Sequence, residues 1–299
     1  MQKYNIIIHT TTACNFNCSY CNVVKDWKIL PLQWYEALSI FLENNKSSIW
    51  SVKFFGGEPL IVWENIVSFI QKLNIHHSWE YEIVTNTSLL THEIGKWLDT
   101  YFSRIFFSID QENNFCYEKV MSIAQSCNLI DRLFMNLVIS PGKEWMAYEQ
   151  FLKLIEMGIK WFNILPVYFT ASWSKQDLSN LAMVMKKILD FSYAHDIILY
   201  GFMKNDGYNT SLINESLFID IDEKVYYSDI VSTYLWKKLS RPLFLWKGKE
   251  ILLTDIQEKQ LNIFRDVLKD FEKVIYQKVD GQKELHALMD YFSVYLNHK

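Results

Sequence analysis

The stretch Ile6-Ile7-Ile8-His9-Thr10-Thr11-Thr12-Ala13-Cys14-Asn15-Phe16-Asn17-Cys18-Ser19-Tyr20-Cys21 joins a short apolar run to three cysteines spaced Cx3Cx2C. The apolar run reads as a strand and the cysteines as the loop that follows it. Three thiolates so close in sequence can converge on one soft metal centre. A closed zinc site or a fully ligated iron-sulfur cluster takes four ligands, so three leave one coordination position open, as a reactive site does. A structural zinc or three buried thiols is the alternative. No second CxxC or His pair supports it, and His9 is the only histidine nearby.

With this motif the chain resembles the radical S-adenosylmethionine (radical SAM) superfamily. The resemblance implies that Cys14, Cys18 and Cys21 hold three irons of a 4Fe-4S cluster, leaving the fourth for the methionyl amine and carboxylate of S-adenosylmethionine. It also implies that Tyr20, just before the third cysteine, lies against the adenine. Phe16 would shield the cluster, since apolar surroundings limit solvent access and help set potential.

Working outward from the loop, strand and helix patterns alternate. Helical spacing over 32–44, 61–73, 93–101, 117–124 and 145–157 separates apolar runs at 52–55, 81–84, 105–109, 133–139 and 161–167. Counted from Ile6, six strands precede residue 170, which predicts right-handed βαβ units around a parallel sheet. The fold class expected is α/β, and six units match the partial (β/α)6 TIM-like barrel of the resembled family. Reactive groups in such barrels sit at the C-terminal ends of the strands.

Past Ser172 the rhythm changes. A longer helix is expected over 176–193, a strand over 197–203, a loop over 205–214, and a β-hairpin from Leu217–Ile221 and Lys224–Tyr227 around Asp222-Glu223. Helical patterns over 255–275 and 283–296 complete the chain. The division expected is a barrel core over 1–200 and a C-terminal α+β extension over 201–299. The hairpin resembles the one that opens SPASM extensions, which carry auxiliary-cluster cysteines on both sides of it. Here Ser228 and Asp229 follow it and no cysteine occurs after Cys127, so no auxiliary cluster is expected.

Candidate site residues fall at strand ends. Gly56-Gly57-Glu58-Pro59 follows the second strand, where the family has its GGEP motif. Glycine permits close backbone approach, and the amide and carbonyl groups of Gly56, Gly57 and Glu58 can bind the amino and carboxylate ends of methionine. Thr85-Asn86 ends the third strand and Ser108 and Asp110 end the fourth. Asn136 lies inside the fifth, where a buried amide needs hydrogen bonds. The resemblance assigns Asn86, Ser108, Asp110 and Asn136 to the cofactor, and a structural bond to a neighbouring strand would satisfy Asn136 equally. Many SPASM-type relatives have an arginine after the fourth strand, whereas this chain has Lys119 and no arginine between Ile109 and Arg132. Cys116, just beyond a strand's end, is a candidate hydrogen-atom donor to a substrate radical. Cys127 is a second such candidate, and for both the alternative is an inert buried thiol, the commoner state of cysteine. Asp110, Glu112, Asp206, Asp222 and Tyr208 are candidate proton acceptors, each also readable as a surface or turn residue.

Composition narrows the classes. The net charge of -4 comes without a dense Lys/Arg stripe, so neither nucleic acid nor an anionic membrane is an expected partner. No long apolar span or basic signal region is present, and five cysteines, three of them clustered, fit a reducing compartment, so a cytoplasmic enzyme is expected. No leader-peptide-binding domain is expected ahead of the first strand. The resemblance implies reductive cleavage of S-adenosylmethionine, with a flavodoxin or ferredoxin as external electron donor. Maturation of a ribosomally made peptide is the expected role. Small-molecule modification in a natural-product pathway, activation of a glycyl-radical enzyme, and a non-catalytic iron-sulfur scaffold are the alternatives.

Overall fold

The computed structural model describes residues 4–73, 79–112, 116–200, 216–222, 224–227, 244–245 and 276–297. In chain order the elements are β1 (Tyr4–Thr11), α1 (Leu32–Asn44), β2 (Ile49–Gly56), α2 (Trp63–Lys72), β3 (Glu80–Thr85), α3 (His92–Tyr101), β4 (Arg104–Ile109), α4 (Tyr117–Ser126), β5 (Leu133–Ile139), α5 (Glu144–Glu156), β6 (Trp161–Pro166), α6 (Lys175–Ala194), β7 (Ile198–Leu199), β8 (Ser216–Ile219), β9 (Lys224–Tyr227), β10 (Phe244–Leu245) and α7 (Gln282–Asn297). They form two compact units, each discontinuous in sequence. Unit 1 is Met1–Asn17, Asn22–Ile105 and Asn214–Phe271, and unit 2 is Cys18–Cys21, Phe106–Ile213 and Glu272–Lys299.

In unit 1 the strand order is β10-β9-β8-β1-β2-β3. β1 pairs in parallel with β2 and β8, and β2 with β3. Because successive side chains alternate across a strand, Ile6, Ile8, Val52, Phe54 and Ile83 share one face, and all are fully buried. Phe54 there meets Phe69 of α2 and Phe102 after α3, with ring centroids 6.1 and 5.9 Å away. On the other face, β2 and β3 carry polar pairs. Ser51 and Lys53 lie in register with Glu80 and Glu82. Lys53 Nζ is 2.9 Å from Glu82, and Arg104 is 2.7 Å from Glu82 and 2.8 Å from Glu80.

In unit 2 the order is β4-β5-β6-β7, beginning with Phe106–Ile109 of β4. Phe162 of β6 packs on Phe151 of α5, which meets Phe191 of α6. The opposite face carries Phe106, Phe134, Trp161 and Tyr200, with Phe134 about equally close to its three neighbours at 5.0, 5.0 and 5.4 Å. One layer nearer the C-terminal ends, Asn136 and Asn163 lie in register.

The expected alternation is present through β6, and α1 has the expected bounds. Of the strand expected over 197–203, Ile198–Leu199 is formed. Residues 201–203, the loop over 205–214 with Asp206 and Tyr208, and the helix over 255–275 lie outside the described residues. The hairpin is present, with Leu217 opposite Tyr227 and Ile219 opposite Val225. β8 also lies beside β1, from Asn5 with Ser216 to Ile8 with Ile219. That pairing spans more than 200 residues and leaves no local trace in the pattern. Among the described residues no helix is long and apolar enough to cross a membrane.

Candidate cofactor site

The loop bearing Cys14 is fixed by the three threonines before it. Thr10 Oγ1 donates to the Phe55 carbonyl at 3.1 Å and Thr11 Oγ1 to the Lys28 carbonyl at 2.8 Å. Thr12 Oγ1 donates to Asp26 and accepts from Lys28 N–H at 2.9 Å. Gly57 N–H donates to the Thr11 carbonyl at 2.7 Å and Glu58 N–H to the Ala13 carbonyl at 2.8 Å. A Cβ on Gly56 would lie 2.3 Å from Thr11 O, and one on Gly57 2.2 Å from Ala13 O. The paired glycines therefore let two backbones touch, which fixes the exit of β1 against the end of β2.

Glu58 is fully buried. Its Oε1 accepts from Leu60 N–H at 2.9 Å and Thr85 Oγ1 at 2.7 Å, and its Oε2 accepts from Asn86 N–H at 2.7 Å. Burial pushes its carboxyl up to about 7, against the lowering effect of these donors. Asn86, fixed through its backbone, directs Nδ2 at Cys14 Sγ (3.7 Å) and Asn15 Oδ1 (3.0 Å), while its Oδ1 accepts from Ser88. Phe16 N–H also points at Cys14 Sγ, at 3.4 Å. The next residue, Thr87, has φ 64°, a left-handed conformation unfavourable for a β-branched residue. His9 is turned to Asp220, with Nδ1 3.0 Å from Oδ1 and both residues buried.

In unit 2, Cys18–Cys21 form a turn closed by Cys21 N–H to the Cys18 carbonyl at 3.2 Å. Two acids at the end of β4 hold it. Glu112 accepts from Ser19 N–H at 2.9 Å and from the Ser19 hydroxyl, and Asp110 accepts from the Tyr20 hydroxyl. Asp110 Oδ2 also lies 3.9 Å from Cys18 Sγ, and its Oδ1 accepts from Glu112 N–H at 2.9 Å. Burial first, and then the Asp110 carboxylate, raise the Tyr20 phenol far above its ordinary range, so Tyr20 stays protonated and donates. Gln150 Nε2 donates to the Asp110 carbonyl at 3.1 Å, and Gln111 bridges Gln150 and the Val138 carbonyl.

Ser108 shares the face of β4 that carries Phe106 and is half-buried. Asn136 is 7% exposed, and its Oδ1 accepts from Asn163 Nδ2 of β6 at 3.2 Å, the inter-strand bond that the sequence left open. Cys116 is exposed at the N-terminal end of α4, and Cys127 is buried with Sγ 3.8 Å from Ser126 Oγ. Asp222 is exposed and paired with Lys28 at 3.3 Å. Sequence reading passed over Asn163, Ser88, the threonine run and the clamping role of Glu112. Asn163 carries the same signal as Asn136, a polar residue within an apolar strand.

The donors suit a soft metal by their chemistry. Cys14, Cys18 and Cys21 are thiols of intermediate exposure, and Cys14 receives two N–H groups. Among the described residues no group of three or more His, Cys, Asp or Glu is gathered as for a metal ion.

Comparison with known proteins gives consistent findings. A family model described as Radical SAM superfamily matches residues 8–165. The radical SAM cyclopropyl synthase TigE of Paramaledivibacter caminithermalis is 30% identical over 125 residues, covering 34% of this chain and 26% of that protein. The chain thus spans about a quarter of TigE. The solved structure of anSMEcpe with bound AdoMet and Cp18Cys peptide superposes with a TM-score of 0.67 at 14% identity, covering 88% of this chain and 82% of that one. Streptococcus suis SuiB bound to precursor peptide SuiA gives 0.63 at 14% identity, covering 87% and 66%. At such identities the two superpositions show a shared fold, the partial barrel expected from the alternation.

Proposed function

Because the chain belongs to the radical SAM superfamily, we propose that it reductively cleaves S-adenosylmethionine and removes a hydrogen atom from a ribosomally made peptide. The observation that carries this reading is the family match over residues 8–165, which takes in Cys14, Cys18 and Cys21. When bound, a 4Fe-4S cluster and S-adenosylmethionine would supply a 5'-deoxyadenosyl radical by one-electron cleavage of the sulfonium bond.

The three motif cysteines would hold the cluster. The N–H groups that Phe16 and Asn86 direct at Cys14 would help set its potential. Tyr20, Ser108, Asp110, Asn136, Asn86 and the Gly56-Gly57 backbone are the groups offered to the cofactor. Glu58 works at one remove, fixing the backbone of Asn86. A flavodoxin or ferredoxin would deliver the electron that the reductive cleavage consumes. Peptide as the substrate class is supported by the fold shared with anSMEcpe and SuiB, both solved with peptides.

The test is anaerobic reconstitution and reduction with S-adenosylmethionine, followed by quantification of 5'-deoxyadenosine and methionine. Release is expected in the wild type and not in Cys14→Ala, Cys18→Ala or Cys21→Ala. An intact, reducible cluster that releases neither would overturn the reading. A mass change in a peptide encoded beside this chain would support the substrate class, whereas turnover of a small molecule alone would replace it.

A further inference from the structure

Within unit 2 the C-terminal helix is linked to the cysteine turn by a run of hydrogen bonds. Gly281, at φ 77°, precedes α7 and lies so close to Trp173 that a Cβ would fall 2.0 Å from the Trp173 carbonyl oxygen. Trp173 N–H donates to the Asp280 carbonyl at 2.9 Å. Gln282, fully buried, then grips the segment after β6 from both sides. Its Oε1 accepts from Phe169 N–H at 3.0 Å, and its Nε2 donates to the Ala171 carbonyl at 2.8 Å. One turn on, His286 packs its ring 5.3 Å from that of Tyr168, with Nδ1 2.6 Å from the Tyr276 hydroxyl.

Between the two gripped positions lies Thr170. Its hydroxyl donates to the Tyr20 carbonyl at 3.0 Å, and Tyr20 sits between Cys18 and Cys21. The gripped segment is strained, because Phe169 has φ 69°, a conformation costly for a bulky residue. Such a residue keeps its conformation when its surroundings over-determine it. The Gln282 amide does so by taking up the Phe169 N–H.

We propose that Gln282 is a positioning residue for the cysteine turn, holding the Phe169–Ala171 backbone so that Thr170 presents its hydroxyl to the Tyr20 carbonyl. The proposal rests on the proposed function in treating that turn as the cluster's seat. The geometry itself does not depend on a cluster being bound. It makes α7, distant in sequence, part of the apparatus that shapes the cysteine motif.

Amide hydrogen exchange on the metal-free full chain tests it. The Ser19 and Cys21 N–H groups are both hydrogen-bonded and report on the turn. Gln282→Ala should speed exchange over 167–173 and also at Ser19 and Cys21, by about fivefold if one ordinary hydrogen bond is lost. Thr170→Val should leave 167–173 protected and speed Ser19 and Cys21, while Thr170→Ser should match the wild type. If Ser19 and Cys21 exchange at wild-type rates in either Gln282→Ala or Thr170→Val, Gln282 merely docks the helix and the proposal is wrong. Should Gln282→Ala fail to fold, Gln282→Met, which fills the same space without either hydrogen bond, takes its place with the same expected exchange. In reconstituted protein of equal iron content, the paramagnetic resonance spectrum of the reduced cluster should differ between Thr170→Val and Thr170→Ser. Failure to take up iron would sink the proposed function and leave the exchange result standing.

Discussion

Glu58 joins two parts of the chain through one carboxylate, its own turn and the end of β3, where it takes the hydroxyl of Thr85 and the backbone N–H of Asn86. Its carboxyl, pushed up by burial to about 7 in the fold, returns to an ordinary value near 4.5 on unfolding. A raised folded value favours the protonated form. The stability from Glu58 is therefore fully present below about pH 4.5 and is lost as pH rises through about 7, a change of about 3 kcal/mol. Urea unfolding at pH 5 and pH 8 should show this loss in the wild type and a much smaller one in Glu58→Gln. The variant should also be weaker at pH 5, because an amide NH2 replaces one acceptor oxygen. An equal difference between the two pH values in both proteins would mean that another group is responsible. Gly-Gly-Glu-Pro was legible as a turn at a strand end. The reason for its composition was not, because the atoms that exclude a Cβ belong to Thr11 and Ala13, more than 40 residues earlier.

At the scale of elements, periodicity carried most of the reading. α1 was bounded correctly, and β1 to β6 were each found, because their apolar residues lie at spacings that local geometry dictates. Register was not legible, and register is what gathers Lys53, Glu80, Glu82 and Arg104 on the polar face of β2, β3 and the start of β4. Glu82 is 2% exposed. Burial alone would raise its carboxyl, yet Lys53 and Arg104 together hold it below the ordinary carboxylate range. The sign is opposite to that of Glu58. Stability from Glu82 is present above its unfolded value near 4.5 and is lost as pH falls through the lowered folded value. Arg104→Met leaves Glu82 and Glu80 short of a cation and should cost about 3 kcal/mol in chemical unfolding at pH 7. Adding Glu82→Gln should restore part of that loss, since the uncompensated charge goes with it. A double variant no more stable than Arg104→Met would show that the arginine acts through packing of its stem.

For the whole molecule the question is what the metal does for the fold. Each unit has its own buried core, Ile6, Ile8 and Phe54 in the first and Phe107, Phe151 and Phe162 in the second, all under 2% exposed. Long-range strand pairing, such as that of β8 with β1, was invisible to pattern reading, and it ties β8 into the first of these cores. A structural zinc contributes folding free energy outright, so chelation unfolds the domains that depend on one. None of the three motif cysteines belongs to either core, so the expectation is that their metal has no such role. Chelation of the reconstituted protein should therefore remove about four irons per chain, the content of one 4Fe-4S cluster, and leave cooperative thermal unfolding in place. Cys14→Ala, Cys18→Ala and Cys21→Ala should each lose the iron. Cys127→Ala should keep it, because that thiol is buried against Ser126. One tightly bound zinc per chain, with unfolding on chelation, would favour a structural site, and about eight irons would require ligands beyond the five cysteines present. Iron, sulfide and zinc analysis alongside circular dichroism melting separates these outcomes in one preparation.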